Sequence, residues 1–81
     1  MSKGTFEQAA GIFMREARRF GPGMSGNVPV LKARAKHREF LQAVDLCLRK
    51  IGWTLKEYQD QSTAPANQKA VMAAVRATWG N

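Results

Sequence analysis

Two clusters of turn-forming residues divide the sequence into segments in which apolar side chains recur at helical spacing. The clusters run from Gly21 to Asn27 and from Ser62 to Asn67, and their Gly, Pro, Ser and Asn residues suit loops better than helix interiors. Between them, no run of β-branched residues alternates with polar residues as a half-buried strand requires. A length of 81 residues is enough for one small domain. The sequence therefore predicts an all-α fold over residues 1–81, a small bundle of about four helices, two long, one short and one C-terminal.

The first segment predicts a helix from Thr5 to about Arg19. Thr5 and Gln8 have the spacing of a capping box, in which each residue satisfies a free backbone N–H group of the other. Gly21 follows at the position where helices end. At ~100° per residue the apolar side chains fall in one sector, and the arginines of this helix fall on the opposite side. The core-facing set is Phe6, Ala10, Phe13, Ala17 and Phe20.

The second segment predicts the longest helix, from about Pro29 to Lys50. Proline is favoured in the first turn of a helix, and Gly52 is placed to end this one. Its apolar side chains recur at spacings of three and four, in a stripe wide enough to contact two neighbouring helices. We therefore expect it to be the central helix of the bundle. The stripe consists of Phe40, Leu41, Val44, Cys47, Leu48 and Ile51.

Two shorter helices complete the predicted bundle. Thr54 and Glu57 form a second capping box, and Trp53 and Tyr58 occupy the flanking hydrophobic-staple positions, which indicates buried aromatic rings at the start of a short helix. The last helix runs from about residue 65 or 67 to Trp79. Because it is rich in Ala, it can approach a neighbouring backbone closely. The edge expected to make this approach carries Val71, Val75 and Trp79.

The residues that carry most enzyme chemistry are scarce and poorly placed in this sequence. Cys47 and His37 are the sole Cys and His, and ten residues on one helix separate them by ~15 Å of axial rise and ~80° of rotation. We expect Cys47 to be a buried structural thiol and His37 to lie on the surface. A metal cage needs several such ligands, and the carboxylates show no paired spacing. The sequence predicts no catalytic residue, no metal site, no cofactor and no enzymatic activity.

The location expected from the sequence is the cytoplasm, without a membrane anchor. A small secreted domain would usually carry two or more disulfides, whereas this chain has one Cys. No run approaches the ~18 apolar residues of a membrane span, and the first residues lack the apolar stretch of a signal peptide. A chain this short buries a thin core, which leaves a homodimer open.

The most distinctive feature of the sequence is an excess of positive charge that is concentrated in its first fifty residues. The chain carries 13 Lys and Arg against 6 Asp and Glu, a net charge of +7. Ten of these cations and four of the acids lie in residues 1–50, which gives this part +6. If the two long helices pack antiparallel, their cations come together in one patch. The predicted binding residues are Arg15, Arg18, Arg19, Lys32, Arg34, Lys36 and Arg38.

Two classes of partner fit a cationic patch on a helical hairpin. A polyanion binds such a patch by releasing its condensed counterions, so the first prediction is a small basic non-enzymatic protein associated with nucleic acid, in a regulatory or accessory role. The alternative is a protein-interaction module, such as a small phage- or plasmid-type inhibitor or adaptor, that docks on an acidic surface of a larger host protein. Apolar residues that fall off the main stripes would then form the centre of the interface: Ile12, Met14, Met24 and Trp79.

One segment resembles a DNA-binding motif. Residues 46–61 place Gly52 at a turn between two helices and cap the second helix at Thr54. In these features the segment, about a fifth of the chain, resembles the helix-turn-helix family, and the resemblance implies DNA as the partner. The segment departs from that family's pattern because its second helix is short and offers Lys56 as the one cation.

Overall fold

Four α-helices and one short turn of 3-10 helix make up the part of the chain that the structure describes. The computed structural model describes residues 3–21 and 34–80, the side chains of residues 34 and 35 apart. This part contains no strand, which agrees with the predicted all-α bundle of two long helices, one short one and one at the C-terminal end. None of its helices has both the length and the apolar character needed to cross a bilayer. The elements are α1 (Phe6–Phe20), α2 (Arg34–Arg49), α3 (Leu55–Ser62), the 3-10 turn (Pro65–Asn67) and α4 (Gln68–Trp79).

Helix α1 begins at the predicted capping box. The Gln8 backbone N–H donates to Thr5 Oγ1 over 3.1 Å, and the Thr5 N–H donates to Gln8 Oε1 over 2.9 Å. The helix ends at Phe20, one residue beyond the prediction, where Gly21 takes a φ of 121°. This left-handed value favours glycine because it has no Cβ, so Gly21 is suited to end the helix.

The residues that follow α2 hold the segment before α1 against the bundle. The Gly4 N–H donates to the Ile51 carbonyl over 2.7 Å, and Gly52 has a φ of 83° with the Lys3 Cα only 3.3 Å from the place a Cβ would occupy. A side chain at Gly52 would therefore be strained and crowded. The predicted beginning of α2 at Pro29, and most of the loop predicted from Gly21 to Asn27, lie outside the described residues.

Helix α3 is positioned by its own capping box and by an aromatic cluster. The Glu57 N–H donates to Thr54 Oγ1 over 3.2 Å, and the Thr54 N–H donates to Glu57 Oε1 over 3.0 Å, as predicted. Trp53 and Tyr58 are buried. The Phe6 ring packs against both, with centroids 6.1 Å from Trp53 and 5.4 Å from Tyr58. The predicted buried role of the two staple residues is confirmed, and it ties α3 to the start of α1.

The central element of the bundle is α1, and the prediction that α2 would be central was wrong. Helix α1 packs against α2, α3 and α4, and its contacts with α2 and α4 are the most extensive in the described fold. Three alanines of α1 are completely buried, so both neighbours can approach its backbone closely. Short side chains thus give α1 a wider contact surface than its apolar stripe suggests. The buried core comprises Ala9, Ala10, Phe13, Met14, Ala17, Phe40, Val44, Leu48, Trp53 and Tyr58.

Asp45 links α2 to the first turn of α3, and its contribution to stability should depend on pH. Its Oδ2 accepts from Arg49 Nε over 2.8 Å, and its Oδ1 accepts from the Leu55 N–H over 3.0 Å. The bond from Arg49, followed by the bond from Leu55, holds the pKa of Asp45 below its ordinary value. The ionised carboxylate therefore stabilises the fold above the pKa of an unfolded Asp, about 3.9, and this contribution disappears as the pH falls through the lowered folded pKa.

Replacing Asp45→Asn should consequently lower the free energy of unfolding by about 1 kcal/mol at pH 7, the typical value of a lost capping bond. The difference should be smaller at pH 2.5, because the stabilisation by the Asp45 carboxylate declines once the pH is below the pKa of an unfolded Asp, about 3.9. Urea titrations followed by circular dichroism at both pH values measure the difference. An equal difference at pH 7 and pH 2.5 would contradict a role for the ionised carboxylate.

Candidate functional site

An open groove of about 410 Å³ lies between α1 and α2, and we call it the α1–α2 groove. The floor is apolar because Ile12 of α1, Cys47 of α2 and Ile51 just after α2 present their side chains there. The rim is charged. It is formed by Arg15, Glu16, Arg19 and Lys50.

Exposed cations line this groove and continue beyond it along α1 and α2. On α1, the residues at positions 15, 18 and 19 fall within an arc of about 100° on the side opposite the core. On α2, Lys36 lies beside Arg19 and Phe20 in a second small depression, so Arg19 connects the two depressions. We call this surface the cationic face. Its five members, all exposed, are Arg15, Arg18, Arg19, Lys36 and Lys50.

The structure brings together part of the predicted patch. Four predicted residues lie on the cationic face: Arg15, Arg18, Arg19 and Lys36. Arg38 is exposed on α2, but it precedes the buried Phe40 by two residues and so points about 160° away from it. Lys32 and the side chain of Arg34 lie outside the described residues.

Lys50 belongs to the cationic face although the sequence prediction did not include it in the patch. Positions 36, 43 and 50 are spaced by seven residues, and this spacing places them on one side of a helix. The heptad spacing was therefore the signal that could have identified Lys50. What the sequence did not provide was the side of α2 that turns towards α1.

Most of the cationic face has no ion-pair partner among the residues that the structure describes. All six carboxylate residues lie in the described part, and three of them form ion pairs. Glu16 pairs with Arg19 over 2.8 Å, while the other two pairs, Asp45 with Arg49 and Glu57 with Lys3, lie elsewhere. No ion pair within residues 3–21 and 34–80 involves the other four members of the face: Arg15, Arg18, Lys36 and Lys50.

Cys47 is half-buried in the floor of the α1–α2 groove, so it is less buried than the structural thiol that the sequence predicts. It lies at the edge of the apolar stripe of α2 that borders the groove. Its thiol donates to Glu16 Oε1 over 3.4 Å. Burial, followed by the bond to the Glu16 carboxylate, raises the pKa of the thiol above its ordinary value. At neutral pH Cys47 is therefore protonated and a weak nucleophile.

The side chain of His37 is less exposed than the sequence predicts for a surface histidine. Its ring packs against Phe40, with centroids 5.8 Å apart, and its Nδ1 atom is buried. Residue 37 lies one turn before Phe40, close enough to the core for the ring to cover it. We find no group of three His, Cys, Asp or Glu side chains arranged to hold a metal ion within the described ranges.

The four apolar residues expected to form the centre of an interface differ from one another in burial. Met14 is 5% exposed and belongs to the core, so the prediction that it would be a contact residue was wrong; it faces inward beside the buried Phe13. Ile12 is half-buried in the α1–α2 groove, and Trp79 is 40% exposed. Met24 lies outside the described residues.

Helix α3 does not add to the positive surface. Its eight residues carry Lys56 against Glu57 and Asp60, which gives the helix a net charge of −1. A helix that enters a DNA groove has to lie against phosphates, so this charge balance disfavours α3 as a DNA-reading helix.

Comparison of the chain with protein-family models, curated proteins and solved structures gives no match.

Proposed function

We propose that this protein is a small, basic, non-enzymatic protein that binds nucleic acid through phosphate contacts on the cationic face. The observation that supports the proposal is the exposed set of cations without an ion-pair partner in the described fold, namely Arg15, Arg18, Lys36 and Lys50. Each can displace a counterion from a phosphate without first breaking an internal ion pair. Binding of this kind gains free energy from counterion release.

Phosphate contacts of this kind fix the position of a nucleic acid without reading its sequence. The packing of α1 against α2 holds the backbone on both sides of the cationic face in place. Binding therefore requires little ordering of the backbone. We therefore expect the protein to discriminate little between nucleic-acid sequences. It would act by occupying a stretch of nucleic acid, in a regulatory or accessory role. The unpaired Cys47 agrees with a cytoplasmic location, where thiols stay reduced.

A second candidate follows from the floor of the α1–α2 groove. Ile12, Cys47 and Ile51 form an apolar floor beneath a cationic rim, which also fits an acidic amphipathic segment of another protein. In that function the protein would be an inhibitor or adaptor. Nucleic acid remains our first proposal because Arg18 and Lys36 extend the positive surface beyond the groove.

The test is binding of fluorescein-labelled 16-nucleotide strands and 16-base-pair duplexes of unrelated sequence, followed by anisotropy between 50 and 200 mM NaCl. We expect micromolar affinity at 50 mM NaCl, competition by unlabelled nucleic acid of any sequence, and a log–log salt slope of about −3 to −4, as four or so phosphate contacts require. Absence of binding at 50 mM NaCl would contradict the proposal and favour the acidic protein partner.

A further inference from the structure

Trp79 is an exposed aromatic side chain at the C-terminal end of α4. All seven Phe, Tyr and Trp residues of the chain lie in the described part, and the other six are buried or half-buried. The contrast with Trp53 is clear, because Trp53 is buried and its Nε1 donates to the Gly4 carbonyl over 2.7 Å. Trp79 is thus the one exposed aromatic residue among those that the structure describes.

Two cations lie near Trp79, one in contact with the residue before it and one a helical turn earlier. Arg18 Nη1 donates to the carbonyl of Thr78, so the side chain of an α1 residue reaches the residue that precedes Trp79. Arg76 is exposed one turn earlier on α4, and residues three apart lie on the same side of a helix. No acid occurs between residues 68 and 79. The charged residues of α4 and the arginine that contacts it are therefore all positive.

Arg18 also connects this surface with the cationic face. It shares the outward arc of α1 with Arg15, and its contact with Thr78 brings the C-terminal ends of α1 and α4 together. Positive side chains consequently extend from the α1–α2 groove across α1 to the exposed indole. We expect an extended polyanion on the cationic face to follow these side chains towards Trp79.

We propose that the ligand is single-stranded nucleic acid, with Trp79 stacking on an unpaired base while Arg18 and Arg76 contact the adjoining phosphates. The inference rests on the proposed function and adds the class of nucleic acid. Positive surface combined with an accessible aromatic ring is the usual means of binding single strands without sequence preference. The bases of a duplex are already stacked on each other, so duplex DNA gains nothing from Trp79.

The experiment compares the wild type, Trp79→Ala, Trp79→Phe and the control Met72→Ala, which shortens another exposed apolar side chain of α4. The probes are labelled oligo(dT), oligo(rU) and a duplex of equal length in 50 mM NaCl. We expect Trp79→Ala to weaken binding of the single strands roughly 5-fold or more and of the duplex less than about 2-fold. Trp79→Phe should retain most of the affinity because it keeps an aromatic ring, and Met72→Ala should change neither. The two single strands show whether DNA, RNA or both are bound.

The intrinsic fluorescence of the two tryptophans gives a second readout. Oligo(dT) should quench the tryptophan fluorescence of the wild-type protein. Trp79→Phe should abolish most of this quenching, because the remaining tryptophan, Trp53, is buried. If the wild type binds both classes of probe and Trp79→Ala affects them equally or not at all, the stacking proposal is wrong and the proposed function stands. If the wild type binds no probe, both proposals are wrong.

Discussion

A triple variant that reverses the charge of Arg15, Lys36 and Lys50 to Glu should lose at least about 100-fold of its affinity for nucleic acid at 50 mM NaCl. Counterion release makes each phosphate contact contribute about tenfold under these conditions, and three contacts are removed here. The log–log salt slope should fall towards zero for the same reason. The three side chains are exposed and form no ion pair in the described part of the chain, so the melting temperature should change little. Anisotropy titrations and thermal melts measure both quantities.

The matched control reverses Arg38, Lys56 and Lys69, which are also exposed and lie outside the cationic face. Both triple variants change the net charge by the same amount, from +7 to +1. The control should lose less than about tenfold in affinity, through the weaker long-range field alone. An equal loss in the two variants would show that binding follows the net charge of the protein and that the cationic face has no special role.

Replacing Phe40→Ala should have the largest effect on stability. Phe40 is completely buried, and its ring meets Phe13 at 5.3 Å and Phe20 at 5.8 Å in edge-to-face contacts. Truncating a buried Phe costs about 3–5 kcal/mol, while a domain of this length is stable by roughly 4–12 kcal/mol in total. The melting temperature should fall by about 15 °C or more, as measured by circular dichroism.

Leu46→Ala provides the comparison within the same helix. Leu46 is 65% exposed, so its truncation should change the free energy of unfolding by less than about 0.5 kcal/mol. Both substitutions replace a large apolar residue of α2 by Ala, and they differ mainly in burial. Similar melting temperatures for the two variants would contradict the position assigned to Phe40 between α1 and α2.

The beginnings of α1 and α3 were predictable because they depend on local chemistry. Thr5 and Gln8, like Thr54 and Glu57, satisfy backbone groups within three residues of each other, so spacing in the sequence is sufficient to locate them. Gly21 likewise marks the end of α1 through its own φ angle. Helical periodicity likewise placed Ala10, Phe13 and Ala17 of α1 in the core, but it left out the buried Met14.

The central helix and the membership of the cationic face were harder to predict because both depend on how helices pack. The sequence shows the wide stripe of α2 but does not show that both α2 and α4 pack extensively on α1. Which cations belong to the cationic face depends on the side of α2 that faces the groove. This orientation includes Lys50 and leaves out Arg38. Such inter-helix geometry depends on side chains from several segments at once.

The most direct test of the cationic face is an amide chemical-shift titration of the nitrogen-15-labelled protein with an unlabelled 16-nucleotide strand. If the face binds nucleic acid as we propose, the largest shifts in the ¹H–¹⁵N spectrum will occur in residues 15–19 of α1 and 47–51 at the end of α2. Residues 55–62 of α3 should shift little. Largest shifts in α3, or none in the two segments of the cationic face at saturating nucleic acid, would contradict it.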